Sequence, residues 1–89
     1  DYTETLNLFN ESITAYKKAG YKKGVASVFN NCGAVYYNLG NYPKAVDYLR
    51  QAATIQEEIG DKKVTAIITE NIGGIYSKVK DYTNAMKYN

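Results

Sequence analysis

Eighty-nine residues with a formal net charge of +2 suffice for one small domain with a modest core. Histidine is absent and there is one cysteine, which removes the usual zinc ligand sets, the commonest general base and any internal disulfide. No apolar run reaches the roughly 18 residues needed to span a bilayer, and no stretch reads as a secretory signal.

The chain reads as helices throughout. Residues 2–19 form the first, with Leu6, Phe9, Ile13 and Tyr16 inward. A second runs from Lys22 to Leu39, because Val25, Phe29, Cys32, Tyr36 and Leu39 recur at spacings of three and four and make one apolar stripe. Gly40-Asn41 interrupts it. Asn41 suits an N-cap, and Pro43 is tolerated in a first turn, where its missing N–H has no helical partner to lose. The third helix runs from Tyr42 to Ile59, with Ala45, Val46, Leu49, Ala52, Ala53 and Ile59 inward, and Gly60 closes it as a left-handed cap. Asp61 then caps a fourth helix over Lys62 to Val79, whose stripe includes Ile68, Ile72, Ile75, Tyr76 and Val79. Asp81 is expected to cap a last helix that is cut off at Asn89.

Catalytic signatures are missing. Gly73-Gly74 lies inside a helical pattern with no Lys-Ser/Thr after it, so it is not a phosphate loop. Glu57 and Glu58 are adjacent in sequence and point different ways on a helix. The chain is therefore expected to be non-catalytic and to need no cofactor or metal. Its lysines gather as Lys17, Lys18, Lys22 and Lys23 and as Lys62 and Lys63, around two glycine turns. Cations there complement helix C-termini, so the reading is solvated turns instead of an acidic-lipid patch. One arginine among interspersed acids is a poor footprint for nucleic acid, and no nucleic-acid partner is expected.

The helices repeat with a period of 40 residues. Tyr2, Tyr42 and Tyr82 fall in register, as do Gly20 and Gly60, Asn31 and Asn71, Gly33 and Gly73, Tyr36 and Tyr76, and Ala45 and Ala85. Such a period marks a solenoid, whose units cannot bury their apolar faces alone and must stack. The expected organisation is a second helix of one unit over 1–20, a complete unit over 21–60 and a truncated unit over 61–89, cut from a longer array. Two- or three-residue turns make neighbouring helices antiparallel. Ala26/Gly33 and Ala66/Gly73 put small residues at matched positions, which predicts close helix contact at both. Most of the ten tyrosines recur with the unit and read as packing residues, and Cys32, whose counterpart is Ile72, as a buried hydrophobe.

These residues resemble the tetratricopeptide repeat. Asn31-x-Gly33-x-x-Tyr36-x-x-Leu39-Gly40-Asn41-Tyr42-x-x-Ala45, followed by Leu49 and Ala52, carries the likeness. Asn71-x-Gly73-x-x-Tyr76-x-x-Val79-x-Asp81-Tyr82-x-x-Ala85 repeats it. The usual unit is about 34 residues, so this is a long variety. It is similar to the repeats of kinesin light chains, of the spindle-orientation adaptor with Leu-Gly-Asn repeats and of bacterial signalling proteins. The family's usual proline near the end of the second helix is replaced by Glu57. The resemblance implies an all-α fold of antiparallel helix pairs stacked as a right-handed α-solenoid, with the first helix of each unit lining a concave groove.

Ser27, Asn30, Asn31, Ala34, Tyr37 and Asn38 share the helix face opposite the apolar stripe. Their counterparts are Ile67, Glu70, Asn71, Gly74, Ser77 and Lys78. The expected peptide-binding residues are Asn30, Asn31, Tyr37, Asn38, Glu70, Asn71 and Lys78. An asparagine amide offers both donor and acceptor and satisfies peptide backbone without reading its sequence; the resemblance gives that role to Asn31 and Asn71. Glu70 and Lys78 are expected to set preference for partner charge. The leading expectation is a protein–protein interaction module that binds a peptide or partner domain. The alternative is a regulatory sensor region of a larger signalling protein, such as a bacterial two-component histidine kinase, and the compartment (cytoplasmic or periplasmic) follows that choice. Terminal helices with open apolar faces also predict self-association.

Overall fold

Helix stops set the architecture. The computed structural model describes residues 2–88, and the side chains of 2–81, as four helices: α1 (Tyr2–Ala19), α2 (Lys22–Asn38), α3 (Tyr42–Ile59) and α4 (Lys62–Tyr88). Gly20, Gly40 and Gly60 sit at φ of +71°, +78° and +90°, the left-handed region that a glycine enters without a Cβ clash. After each glycine the next amide donates to the carbonyl five residues back. Tyr21 reaches Tyr16, Asn41 reaches Tyr36 and Asp61 reaches Gln56, each at 2.9 Å. These bonds satisfy the last carbonyls of the ending helix. Side chains then cap α3 and α4, though not α2, which starts after Tyr21: Lys44 N donates to Asn41 Oδ1 at 3.3 Å, and Val64 N to Asp61 Oδ1 at 3.1 Å. Both caps are the ones read from the sequence.

The expected break near residue 80 does not occur. One helix of 27 residues continues through it, and Asp81 lies inside that helix instead of capping a new one. Lys80 stands where the series Gly20, Gly40, Gly60 would place a fourth glycine. A lysine held left-handed costs about 1–2 kcal/mol, whereas in a helix it is among the better formers. Thr83 replaces the counterpart of Pro43, so no ring obstructs the turn before it. Side-chain expectations at Tyr82, Ala85 and Tyr88 lie outside the described residues.

Each helix packs on its neighbours in sequence, most extensively α2 on α3, then α3 on α4 and α1 on α2. Among the described residues no other pair of helices packs closely, which is the nearest-neighbour pattern of a stacked repeat. The Cα envelope measures 51 × 32 × 12 Å.

The core joins Ile13 of α1, Val25, Val28, Phe29 and Cys32 of α2, Ala45, Val46, Leu49 and Ala52 of α3, and Ile68 and Ile75 of α4. Burying each of the larger ones contributes about 1.5–3 kcal/mol. Tyr36 and Tyr48 stack at 5.4 Å and 6° at its edge, as packing tyrosines should. Burial raises the Cys32 thiol above its ordinary pKa, in keeping with a buried hydrophobe and not a nucleophile.

Four positions expected inward are open. Leu39 and Ile59 are exposed because each is the residue before a glycine stop, beyond the last packed turn. Tyr16 turns its ring edge-on to Tyr21, and Tyr76 receives a hydrogen bond from Arg50 and holds that guanidinium near its ring, so both stay partly in solvent. Val28 and Gln56, which the apolar stripes did not single out, are buried instead.

The matched glycines part company. A Cβ on Gly33 would meet Leu49 Cδ2 at 2.9 Å and the Ala45 carbonyl oxygen at 3.2 Å, so α2 and α3 touch there as expected, beside the buried Ala26. A Cβ on Gly73 would meet nothing within 4 Å, and Ala66 is exposed. Their counterpart of α3 would lie beyond residue 81, in the part of α4 that runs straight on. Two substitutions read this difference. Gly33→Ala should lower stability by about 1 kcal/mol, overpacking against Leu49 outweighing the helix-propensity gain. Gly73→Ala should raise it by about 0.5–1 kcal/mol through propensity alone. Urea denaturation of the two variants should move in opposite directions, and a common sign would contradict the packing described.

Candidate functional site

Antiparallel stacking aligns α2 and α4 side by side with α3 behind them. The faces they turn outward carry repeat-matched residues, so one groove runs between the two helices. Its first half is a cleft of about 460 Å³ that gathers Asn30, Tyr37 and Asn38 of α2 with Glu70 and Asn71 of α4, over Leu49 and Ile75. Gly74 and Ala34 leave its walls low. Its second half is a cleft of about 550 Å³ between the N-terminal turns of the same helices, with Tyr16, Tyr21, Lys23 and Asn31 on one side and Val64 and Ile67 on the other. Asn30 and Asn71 border both halves.

Five of the seven sequence-predicted residues thus meet in the first cleft. Asn31 faces the second. Lys78 lines neither, and its Nζ donates to the Tyr37 hydroxyl at 3.0 Å while standing 5.0 Å from that ring's centroid. Tyr37 in turn tilts against Tyr42, with centroids 5.5 Å apart. The Tyr37–Lys78 pair therefore links α2 to α4 across one end of the groove. Among the described residues, the side-chain amides of Asn30, Asn31, Asn38 and Asn71 make no hydrogen bond, and all four are exposed. Their donors and acceptors are open to a ligand.

Sequence reasoning passed over the second cleft. Tyr16 was read as an inward packing residue, and Tyr21 and Gln56 were not singled out. Gly24 was the available signal: a Cβ there would meet the Tyr16 and Tyr21 rings at 2.8 and 2.7 Å. Where the next unit has Val64, this unit needs glycine to seat two aromatic rings. Among the described residues no group of His, Cys, Asp and Glu is arranged to hold a metal ion, and no helix is long and apolar enough to cross a membrane.

A sequence profile described as tetratricopeptide repeat matches residues 1–58 and, again, 24–89. Neither a curated protein nor a solved structure matches the chain.

The hydrogen bond to Tyr37, followed by the charges of Tyr37 and Tyr42 when ionised, holds the Lys78 ammonium above the usual lysine range. A cation whose folded pKa is raised adds stability that is complete below its unfolded value and is lost as pH rises through the folded one. The Tyr37–Lys78 contribution should therefore persist to about pH 10.5 and fade above it. An NMR titration of the Lys78 ε-methylene should give a midpoint above the ordinary lysine value, and Tyr37→Phe should lower it. An unchanged midpoint in Tyr37→Phe would show that the pair does not form in solution.

Proposed function

We propose, from the premise that the chain belongs to the tetratricopeptide repeat family, that its α2–α4 groove binds an extended peptide of a protein partner. Repeats of this family generally mediate protein–protein interaction and are generally non-catalytic. The observation that carries the groove reading is the convergence of Asn30, Asn38 and Asn71, with unpartnered amides, beside Glu70 on low walls of Ala34 and Gly74. Backbone amides of a bound strand would find both donors and acceptors there. Asn31 extends the same chemistry into the second cleft. Glu70 is the acidic group of the first cleft and favours a basic neighbour on the ligand, whereas Lys78 is engaged by Tyr37 and bears on the ligand through that ring. Service as a sensory region of a larger signalling protein draws on the composition around Glu57–Lys62 alone, and the groove reading takes precedence.

Peptides selected from a random display library against this protein supply the probe. Asn31→Ala and Asn71→Ala should each weaken the selected peptides about tenfold, a loss of about 1–3 kcal/mol per orphaned partner group. Ser77→Ala, exposed and outside both clefts, should not. Equal affinity across the three variants would sink the groove reading.

A second reading concerns self-association, and α4 favours it. In the complete unit Gly33 packs against Ala45 and Leu49, and Tyr36 stacks on Tyr48. Their counterparts, Gly73 with Ala85 and Tyr76 with Tyr88, lie on one straight helix. Twelve residues of helix separate each pair by about 18 Å, so they cannot meet within one chain. Two copies of α4 laid antiparallel, with a two-fold axis near Lys80, would bring each pair together twice. A cleft of about 570 Å³ lined by Val46, Ile75, Tyr76 and Val79 stands open beside that helix. We expect a dimer in light scattering at high concentration. Lys80→Gly combined with Thr83→Pro, which restores the missing stop, should shift it to monomer; a monomer before the change would rule the pairing out.

A further inference from the structure

Gln56 is the buried polar side chain of the described residues, 7% exposed, and its Oε1 has no hydrogen-bond partner. Forty residues earlier its counterpart is Tyr16. There the corner between helices is filled: the Tyr16 ring stands edge-on to Tyr21 at 5.4 Å, and Gly24 makes room for both. In the next unit Gln56, Asp61 and Val64 take those three places. Asp61 accepts from the Val64 amide and is committed to capping. No group of the described residues donates to the Gln56 carbonyl, and Gln56 is one of the residues lining the second cleft.

Helix formation does not require this residue, since leucine or methionine propagates a helix as well and leaves no acceptor unpaired. A buried acceptor kept without a donor points to a donor that arrives from outside. The terminal torsion of glutamine is broad and roughly two-fold, so the carbonyl turns toward the cleft at little cost. The surroundings restrict what arrives. Val64, Ile67 and Ile68 provide apolar walls, Lys23 opposes a cationic donor, and Asn31 and Asn71 offer donors of their own. A neutral group with a donor and an acceptor fits this set, and the amide is the one that an extended peptide presents at every residue.

We propose that the Gln56 cleft is an amide subsite. The N–H of a bound chain's amide donates to Gln56 Oε1, and its C=O accepts from Asn31, Asn71 or Lys23. The inference rests on the groove reading and deepens it. The amide belongs either to the ligand's backbone or to an asparagine or glutamine side chain, and the two sources are separable.

The ¹⁵N-labelled protein is titrated with the acetylated, amidated tripeptides Leu-Gln-Leu and Leu-Met-Leu, observing the side-chain resonances of Gln56 and Asn71. Thermal unfolding of Gln56→Met is measured in parallel. The expected result is a saturable movement of the Gln56 resonances, with binding weakened about five- to tenfold in Gln56→Met and the unfolding midpoint unchanged or raised. A stronger response to Leu-Gln-Leu assigns the side-chain amide; equal responses, both weakened in Gln56→Met, assign the backbone. Movement at Asn71 without movement at Gln56 leaves the groove standing and overturns the subsite. Movement at neither overturns both. A midpoint lowered by several degrees in Gln56→Met would show that Oε1 already has a partner in the free protein, and would also overturn the proposal.

Discussion

Amphipathic helices joined in series become a solenoid only if each one stops where its apolar stripe has to double back. Here the stop is a left-handed glycine at residues 20, 40 and 60, each followed by the same five-residue hydrogen bond to the ending helix. Everything else in the fold depends on that regular interruption. It sets helix lengths of 17 or 18 residues, forces antiparallel neighbours and places α2 and α4 on the same side of α3. With the stops in phase, residues 40 apart face the same way, so a groove of matched positions appears without any contact made to build it. Lys80 tests the same constraint from the other side. A residue that resists the left-handed region at the fourth point lets α4 run on for 27 residues.

Close packing behind the groove follows from the same phase. Gly33 lets α2 settle on the Ala45 carbonyl and Leu49, and Ala45 and Ala52, both fully buried, keep α3 equally close. The two groove helices are then held by a common backing helix and not by each other. Across the groove itself, among the described residues, Lys78 bridges to Tyr37 at one end.

Much of this was legible in the residues. The 40-residue register, the glycine stops at 20, 40 and 60, the Asn41 and Asp61 caps and most core positions follow from periodicity and turn chemistry, which are local. What was not legible depends on which neighbour is present. Asp81 reads as an N-cap as well as Asp61 does, but a cap acts only after a stop, and Lys80 does not stop the helix. Gly73 repeats Gly33 in sequence and not in environment, because the helix that would crowd it is not folded back. Leu39 and Ile59 continue their stripes in number but fall past the last packed turn. The groove face was read from register, and five of the seven residues expected on it line one cleft; the contact of Lys78 with Tyr37 was not legible, because the two lie 41 residues apart in sequence and meet only in space.

Departures from the repeat are more informative than the repeat itself. Where both units agree, as at Asn31 and Asn71 or at the glycine stops, the agreement has a sufficient explanation in stacking or in a shared groove face. Tyr16 and Gln56 differ together with their neighbours, Tyr21 against Asp61 and Gly24 against Val64: an aromatic pair stands at the corner in one unit, and a buried carbonyl without a partner in the next. An amide buried there leaves an acceptor without a donor, which weakens the fold. A cost of this kind at a position backing the groove is what the proposed amide subsite would offset.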